Sequence, residues 1–344
     1  MVKLFFLLSG EHEDLPFSEL KAILEAEGYD YVVLEKLDQI VRLEADISCI
    51  DALKRRAALT RVCCLELFSC KTEIDSIVKA ARSMSFDEVL GEQKSFAVRM
   101  RRVRRHAPKL DLMMLERKLG ELVLDGAENA RVNLKKPDKT FVGVVTAKFV
   151  FGLRLAEIAA KPFVERRPRR RPFFHPSAMQ AKLARCMVNL AKPRTGELVV
   201  DPFCGTGSML AEAGLIGCRV LGFDIQRRMA KGTLRNLRHV GVDAEGVALG
   251  DADRPPYIRA DCVVTDPPYG ISSTTRKRTT RRLVEQLLRA VHGVLREGQR
   301  VCLASPKTLR IREIGEDLGY RHIESHFVYV HRSLTREIVV FEKV

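Results

Sequence analysis

Apolar positions in the first 155 residues recur in short runs, some alternating with polar residues and some at helical spacing. In residues 1–60 this pattern predicts strands over 2–8, 31–34 and 40–44 and helices over 17–26 and 50–57. A second set starts near Arg61, with helices over 74–83 and 110–124 and strands near 95–101, 131–134 and 140–148. The mixture predicts two small α+β domains, over residues 1–60 and 61–155.

Residues 156–172 interrupt this pattern. Three prolines and a dense set of arginines between 161 and 172 predict a basic linker that forms neither a regular helix nor a central strand. Because like charges extend a chain, we expect this linker to be exposed. It then either lies along phosphate groups or acts as a solvated spacer.

The last part of the chain, residues 173–344, alternates strands with helices. The predicted strands are 198–201, 219–224, 245–249, 262–265 and 300–304, and the predicted helices are 208–216, 229–240 and 281–295. Such alternation predicts an α/β domain with a parallel, doubly wound sheet. Residues 323–329 and 336–341 flank a short polar turn, which predicts a C-terminal hairpin and one antiparallel edge strand.

A glycine-containing loop follows the first strand of this domain. Asp201 ends the strand, and the loop leads into a helix through Cys204, Gly205, Thr206, Gly207 and Ser208. Glycine lets the backbone approach a ligand, and doubly wound sheets bind cofactors at the carboxyl ends of their strands. The loop lacks both the Gly-Lys-Ser/Thr ending of phosphate loops and a third helix-packing glycine. It therefore favours a cofactor other than a nucleoside triphosphate or a nicotinamide.

Two further acids end the next two strands. Asp224 lies 23 residues after Asp201 (224 − 201), where a carboxylate can accept hydrogen bonds from both ribose hydroxyls of an adenosine. Asp251 follows one strand later and is suitably placed to accept from an adenine amino group. Each acid alone could equally cap a helix or lie in a solvated loop. Three acids at the ends of three consecutive strands predict a nucleoside pocket.

The segment Asp266-Pro267-Pro268-Tyr269 follows the apolar strand 262–265. An exocyclic amine of a base is a poor nucleophile, because its lone pair is delocalised into the ring. The carboxylate of Asp266 and the carbonyl of Pro267 can each accept one amine hydrogen, which localises that lone pair. The prolines hold the backbone rigid, and Tyr269 offers a stacking surface worth about 1–3 kcal/mol to an extruded base. The alternative is a proline-rich turn that caps the sheet.

The composition of the chain indicates which classes of partner and which cellular compartment to expect. The formal net charge is +15, which favours a polyanionic partner, although charge alone does not separate RNA, DNA and anionic lipid. The nine cysteines are odd in number and contain no Cys-x-x-Cys pair, so we expect a reduced, cytoplasmic protein without a metal site. No apolar run is long enough to cross a bilayer, so we expect no membrane partner.

These sites together resemble class I S-adenosylmethionine-dependent methyltransferases acting on amino nitrogens, whose hallmark is Asp/Asn-Pro-Pro-Tyr. A closer resemblance, to archaeal tRNA guanine-10 N2-methyltransferases, comes from Arg171-Pro172-Phe173-Phe174-His175-Pro176-Ser177-Ala178-Met179. The segment Val132-Asn133-Leu134-Lys135-Lys136-Pro137-Asp138-Lys139 is similar to the signature of the THUMP domain. In that family a THUMP domain follows a small ferredoxin-like domain.

The resemblance implies a Rossmann-like methyltransferase domain over 173–344, a THUMP domain over 61–155 and a ferredoxin-like domain over 1–60. It implies one- or two-step N2-methylation of guanosine 10 in tRNA, with S-adenosylmethionine as donor and S-adenosylhomocysteine as product. The implied catalytic residues are Asp266, Pro267, Pro268 and Tyr269. The implied cofactor-binding residues are His175, Ser177, Asp201, Cys204, Gly205, Thr206, Gly207, Ser208, Asp224, Ile225, Asp251, Ala252 and Asp266.

Some details of the implied site stay open. His175 either contacts the cofactor or orders the turn before Pro176. The family usually has Leu-Pro after the acid at 251, whereas this chain has Arg254-Pro255-Pro256, so the edge of the adenine pocket is uncertain. The resemblance also leaves open whether a small activating subunit is needed, as in eukaryotic relatives, and hence whether the protein is a monomer or a heterodimer.

Basic clusters outside the pocket are candidates for tRNA binding. They are Arg99, Arg101, Arg102, Arg104 and Arg105 in one stretch, and Arg276, Lys277, Arg278 and Arg281 after the catalytic segment. Arginines taken singly are often solvated surface residues, but clusters favour phosphate contacts.

Three other functions compete with this hypothesis. A DNA amino-methyltransferase would share the Asp-Pro-Pro-Tyr segment, although no helix-turn-helix or zinc module is recognisable here. An RNA-binding protein without catalysis would not need the acids at 201, 224, 251 and 266. The same chemistry at another guanosine of tRNA or ribosomal RNA is the third alternative.

Overall fold

The computed structural model describes residues 1–92, 95–252, 257–268, 279–332 and 334–344. Its strands are β1 (Val2–Leu8), β2 (Tyr31–Leu37), β3 (Ile40–Ala45), β4 (Thr60–Cys70), β5 (Ser95–Arg102), β6 (Arg131–Val132), β7 (Lys139–Val145), β8 (Phe149–Glu157), β9 (Leu198–Asp201), β10 (Arg219–Asp224), β11 (Gly246–Leu249), β12 (Cys262–Thr265), β13 (Arg300–Pro306), β14 (Tyr320–His331) and β15 (Leu334–Lys343). Its α-helices are α1 (Leu15–Ala26), α2 (Cys49–Arg56), α3 (Ile74–Arg82), α4 (Phe86–Leu90), α5 (Leu112–Asp125), α6 (Lys161–Glu165), α7 (Ala181–Leu190), α8 (Ser208–Gly214), α9 (Arg227–His239), α10 (Thr280–His292) and α11 (Ile311–Asp317).

The N-terminal unit comprises Met1–Glu11, Tyr29–Lys54 and Thr60–Ile158. Its eight strands form one sheet in the order β2-β3-β1-β4-β8-β7-β5-β6. Strand β5 pairs in parallel with β6 and β7, and the other pairs are antiparallel. Because β4 pairs with β1 on one side and β8 on the other, the strands predicted in residues 1–60 and 61–155 share one continuous sheet.

The C-terminal unit comprises His12–Gly28, Arg55–Leu59 and Ala159–Val344. Its seven-stranded sheet has the order β11-β10-β9-β12-β13-β15-β14, in which β9 to β13 are parallel. The predicted doubly wound sheet and C-terminal hairpin are therefore confirmed. The prediction of an antiparallel edge strand is wrong, because the antiparallel strand β15 inserts between β13 and β14. The edge strand β14 consequently runs in the direction of the parallel strands.

The core of this unit explains the apolar runs of its central strands. Val199 and Val264 face one side of the sheet, where they pack with α1, α7 and α8. Val200 and Val263 face the other side, where they pack with α10 and α11. Since successive strand residues alternate between faces, a strand buried on both sides must be apolar at every position.

A buried polar cluster fixes α1 within this unit. Glu19 is fully buried and accepts hydrogen bonds from the backbone N–H groups of Ala58 (3.1 Å) and Leu59 (2.7 Å) and from Asn189 Nδ2 (2.9 Å). Burial raises the pKa of the Glu19 carboxyl, an effect that these donors partly offset. The Glu19 carboxylate thus joins α1 to the backbone at positions 58 and 59 and to Asn189 of α7.

The predicted basic linker is partly wrong. Pro162 lies in the first turn of α6, where its missing N–H group would have no helical partner, so it starts the helix Lys161–Glu165. A short 3₁₀ turn follows at Pro168–Arg170. Arg166 and Arg171 are largely buried, whereas Arg167, Arg169 and Arg170 are exposed. The segment is thus docked at two arginines.

The reason for this docking is a buried carboxylate on α8. Glu212 is 1% exposed and receives both Nε (2.8 Å) and Nη2 (3.0 Å) of Arg166. Arg185 Nη2 lies 2.9 Å from the same carboxylate. Two guanidinium groups therefore share one buried acid, which leaves neither arginine free for phosphate.

Within the described ranges, no helix is both long and apolar enough to span a membrane.

We predict that Glu212→Gln destabilises the C-terminal unit by about 3–5 kcal/mol, because it leaves two largely buried guanidinium groups without their carboxylate. Chemical denaturation of the two proteins measures the change in the free energy of unfolding. Glu245→Gln is the matched control, since Glu245 pairs with Arg219 at side chains 45% and 56% exposed. It should cost less than about 1 kcal/mol. Equal losses in the two variants would contradict the structural role of Glu212.

Candidate active site

The described acids meet at the point where the winding of the sheet reverses. Strand β9 lies between β10 and β12, so the chain winds outwards from β9 through β10 to β11 and then returns on the opposite side. In doubly wound sheets, ligands bind in the crevice at this reversal, outside the carboxyl ends of the strands. Asp201, Asp224 and Asp266 lie at or directly after the carboxyl ends of β9, β10 and β12.

The loop after β9 depends on its two glycines. Gly205 and Gly207 have φ angles of +51° and +78°, in the left-handed region that other residues rarely adopt. A Cβ atom at Gly207 would lie 2.8 Å from Thr233 Cγ2, so this glycine permits close packing on α9. A Cβ atom at Gly205 would meet nothing closer than the Phe203 carbonyl oxygen at 3.8 Å. Gly205 therefore keeps open space beside the loop.

Asp224 binds this loop through its carboxylate. Its Oδ2 accepts from Gly205 N (3.1 Å) and its Oδ1 accepts from Gln226 N (2.8 Å). Burial raises the pKa of Asp224, and the two backbone donors and His175 act in the opposite direction. His175, which bonds Ser177 Oγ at 2.7 Å through Nδ1, is therefore within electrostatic reach of Asp224. Gly205 is thus bonded to Asp224 and Ser177 to His175, while the cofactor-binding role of these four residues stays a prediction.

Asp201 is the most deeply buried acid of the crevice, at 2% exposure. Its Oδ1 accepts from Thr265 Oγ1 (2.6 Å) and from Phe203 N (3.1 Å). Burial is the largest cause of a raised pKa of Asp201, about 7; the hydrogen bonds from Thr265 and Phe203 oppose it, and the negative charges of Asp266 and Asp224 add to it. A cationic ligand in the crevice would favour the ionised form of this carboxyl.

Asp266 lies directly after β12 and forms an ion pair with Arg336 of β15, with Nη2 3.3 Å from Oδ2. The two side chains are 18% and 13% exposed, so the pair is partly shielded from water. Pro267 and Pro268 follow as predicted. Tyr269 lies outside the described residues, so its stacking role stays a prediction.

The sequence did not identify Arg336. Arg336 lies between Thr335 and Glu337, just before the buried residues 338–341, and this polar stretch carries no signal that sets it apart. Sequence also did not identify Thr265 as the hydrogen-bond donor that links β12 to Asp201. Both contacts arise between strands that are distant in sequence, which periodicity does not reveal.

Three predicted cofactor-binding side chains point into the protein. Ser208 Oγ accepts from Arg171 Nη1 (2.6 Å) and donates to the Met179 carbonyl (3.1 Å). Thr206 and Cys204 are 5% and 4% exposed and contact Ser208 and Thr233, respectively. Their side chains therefore shape the loop, and contact with a ligand would come from their backbone.

The remaining predicted pocket residues lie at the ends of β10 and β11. Ile225 and Asp251 are half-buried, whereas Ala252 is 5% exposed and packs in the core on the α10 side. Positions 254–256, which bear on the edge of the adenine pocket, lie outside the described residues. In the described ranges no group of three or more His, Cys, Asp or Glu side chains could hold a metal ion.

The predicted RNA-binding arginines differ in how they are held. Arg99 and Arg102 donate to the backbone carbonyls of Leu134 (2.8 Å) and Leu110. Arg101 and Arg104 are more exposed and pair with Glu157 and Asp38. Arg105 is exposed, and Arg281 pairs with Glu285 within α10 at 2.8 Å. Arg276, Lys277 and Arg278 lie outside the described residues.

Known protein families and a solved structure resemble this chain along most of its length. The model of the RMKL-like methyltransferase domain matches residues 168–337, and the model of the THUMP domain matches residues 71–151. TrmN from Thermus thermophilus, a solved structure, has a similar fold, with a TM-score of 0.56 at 21% identity over 99% of this chain and 100% of that one.

Two curated relatives are similar from end to end. The tRNA (guanine(10)-N2)-dimethyltransferase of Methanothermobacter thermautotrophicus is 37% identical, over 100% of both chains. The enzyme of the same name from Methanocaldococcus jannaschii is 33% identical, over 98% of this chain and 99% of its own length. This chain therefore belongs to the tRNA (guanine(10)-N2)-dimethyltransferase family, in which a THUMP domain is joined to a methyltransferase domain.

Proposed function

We propose that this protein transfers methyl groups from S-adenosylmethionine to the N2 atom of guanosine 10 in tRNA. The single observation that carries the proposal is the position of Asp266, which is held by Arg336 beside the acidic crevice at the reversal of the sheet. The end-to-end similarity to named guanine-10 methyltransferases supports the choice of substrate.

The residues of the crevice fit S-adenosylmethionine. When bound, this cofactor supplies a methyl group on a positively charged sulfur, and its methionine part carries an ammonium group. Asp201, Asp224 and Asp266 end neighbouring strands at the crevice, and carboxylates there favour such positive charge. The open space beside Gly205 admits a ligand close to the backbone. Asp224 would bind the ribose, Asp251 the adenine, and Asp201 with the glycine loop the methionine end.

Asp266 prepares the guanine amine for attack. One carboxylate oxygen, Oδ2, is held by Arg336, which fixes the orientation of the group. Oδ1 and the Pro267 carbonyl oxygen would each accept one hydrogen of the exocyclic amine, so the nitrogen lone pair points towards the reacting carbon. After transfer, Asp266 receives the proton that the nitrogen loses. The chain thus positions the guanine amine and supplies the carboxylate that accepts its hydrogen. The proton released from the nitrogen is transferred to Asp266.

We further propose that the reaction proceeds in two steps. N2-methylguanosine keeps one amine hydrogen, which either acceptor can still hold, so the second transfer needs no additional residue. The names of the two full-length relatives, both dimethyltransferases, support this.

We also propose that the domain boundaries lie at residues 60, 155 and 172 and that the protein is located in the cytoplasm.

The decisive experiment incubates the protein alone with unmodified tRNA transcript and S-adenosylmethionine, followed by nuclease digestion and mass spectrometry. We expect N2-methylguanosine and then N2,N2-dimethylguanosine at position 10. Methylation of duplex DNA would instead show a DNA amino-methyltransferase. Methylation of another guanosine would show the same chemistry at a different site. Activity that appears only after a small partner protein is added would show that an activating subunit is needed.

We predict that Asp266→Ala lowers kcat by about 10²–10⁴-fold, the range typical of a lost positioned acid–base group. Affinity for tRNA should stay nearly unchanged, because phosphate contacts dominate binding. Methyl incorporation and filter binding measure the two quantities. Asp243→Ala, which removes an exposed acid of the same unit, serves as the control. Near-normal turnover of Asp266→Ala would refute the role of Asp266.

We predict that cofactor binding releases protons near neutral pH. The pKa of Asp201 is about 7 in the free protein, and a positively charged ligand lowers it, so affinity should rise with pH up to about pH 7 and level off above it. Calorimetry in two buffers of different ionisation enthalpy should show release of about half a proton per cofactor at pH 7. Asp201→Asn should abolish this release. Binding of the cofactor to the wild type without proton exchange would contradict the assignment.

We predict that the exposed arginines of the N-terminal unit contact tRNA phosphates. Replacing Arg104 and Arg105 together by glutamine should reduce the slope of log affinity against log salt by about one per arginine. Arg219→Gln with Arg259→Gln is the control, since both arginines are exposed but lie at the amino ends of β10 and β12. An unchanged slope in the first variant would remove these arginines from the interface.

A further inference from the structure

Strand β14 carries two exposed aromatic side chains on one face. Phe327 is 55% exposed and Tyr329 is 72% exposed, which makes them the most exposed aromatic side chains in the part of the chain that the structure describes. They are separated by Val328, which is 5% exposed on the opposite face, so the two rings leave the same side of the sheet. Single exposed apolar residues are ordinary, but two exposed rings on the same face of one strand offer a ligand two aromatic faces.

Positive charge accompanies these rings. Lys307 Nζ lies 5.0 Å from the centroid of the Phe327 ring. Arg332, in the β14–β15 turn, is also exposed, whereas the exposed Arg310 is paired with Glu313 at 3.8 Å. The carboxylate nearest in register, Glu337 opposite Phe327, is 6% exposed and accepts from Ser325 Oγ at 2.8 Å. An anionic ligand on the rings would therefore meet Lys307, while the carboxylate of Glu337 is already buried and bonded.

The register of β15 relates this surface to the catalytic segment. Phe327 pairs with Glu337, Val328 with Arg336 and Tyr329 with Thr335. Arg336 is the residue that holds Asp266. The two rings thus flank, in register, the residue that orients the catalytic carboxylate, but their side chains leave the other face of the sheet. A ligand on them would lie beside the crevice rather than in it.

We propose that Lys307, Phe327 and Tyr329 form a platform, outside the crevice, that binds an unpaired nucleobase of the RNA. Aromatic faces stack on any base without reading its sequence, and a neighbouring ammonium binds the backbone phosphate. Protein interfaces are depleted in lysine, so Lys307 beside the rings favours a phosphate-bearing ligand over a protein partner. The inference rests on the proposed RNA methylation and adds a binding site to it.

The test compares a ring-deleting variant with a ring-preserving one. The first carries Phe327→Ala and Tyr329→Ala, and the second carries Phe327→Tyr and Tyr329→Phe. Val330→Ala is the matched control, since Val330 is 40% exposed on the same strand. Methyl-transfer kinetics use unmodified tRNA transcript, and cofactor affinity is measured by calorimetry. Thermal denaturation checks folding, and the single Tyr329→Ala variant replaces the double variant if that one does not fold.

We expect the ring-deleting variant to raise KM for tRNA about tenfold, within the range of one lost base–aromatic stack. Its kcat and cofactor affinity should stay within about twofold of the wild type, and the ring-preserving variant should behave as the wild type. Lys307→Gln should reduce the salt slope by about one. An unchanged KM in the ring-deleting variant overturns the platform. A molecular mass of that variant in solution that differs from the wild type's also overturns it, because the surface would then bind a protein partner. Because wild-type methylation is measured in the same assay, failure of the platform is distinguishable from failure of the proposed function.

Discussion

The hydrogen bond from Thr265 to Asp201 joins the two halves of the sheet at the point where their winding reverses. It holds the end of β12 against the end of β9, and so places Asp266, the next residue, beside the acids that end β9 and β10. Asp224 and Asp266 bring two negative charges near Asp201. The structure tolerates them because the pKa of Asp201 is near neutrality and because two hydrogen-bond donors bind one of its oxygens. A cationic ligand in the crevice relieves this repulsion, so cofactor binding and the ionisation of Asp201 are coupled.

Strands and helices of the C-terminal unit could be predicted closely from sequence. The predicted strands 198–201, 219–224 and 262–265 have the observed bounds, because strands buried on both faces give uninterrupted apolar runs. The helix Ala181–Leu190 was not predicted, although it covers one face of the sheet. Its buried Arg185 and Asn189 interrupt the apolar pattern, and only their partners Glu212 and Glu19 make that burial favourable.

The candidate site shows the same limit. The acids and glycines are local in sequence and were identified from their spacing after strands. Arg336 and the inward direction of Ser208 depend on contacts between distant segments, which no local pattern encodes. Arg166 and Arg171 illustrate the opposite error, since a run of arginines indicates solvent exposure, whereas Glu212 pairs with the first and Ser208 accepts from the second. Net positive charge therefore indicates the class of partner, and the structure decides which arginines are exposed to it.

In the proposed mechanism Asp266, oriented by Arg336, accepts a hydrogen from the guanine amine. A crystal structure of the protein with tRNA and S-adenosylhomocysteine measures this contact directly. We expect the N2 atom of guanine 10 to lie within about 3.2 Å of Asp266 Oδ1, while Arg336 stays on Oδ2. A guanine amine that lies far from Asp266, or a carboxylate that turns away from the crevice towards the core, would contradict it.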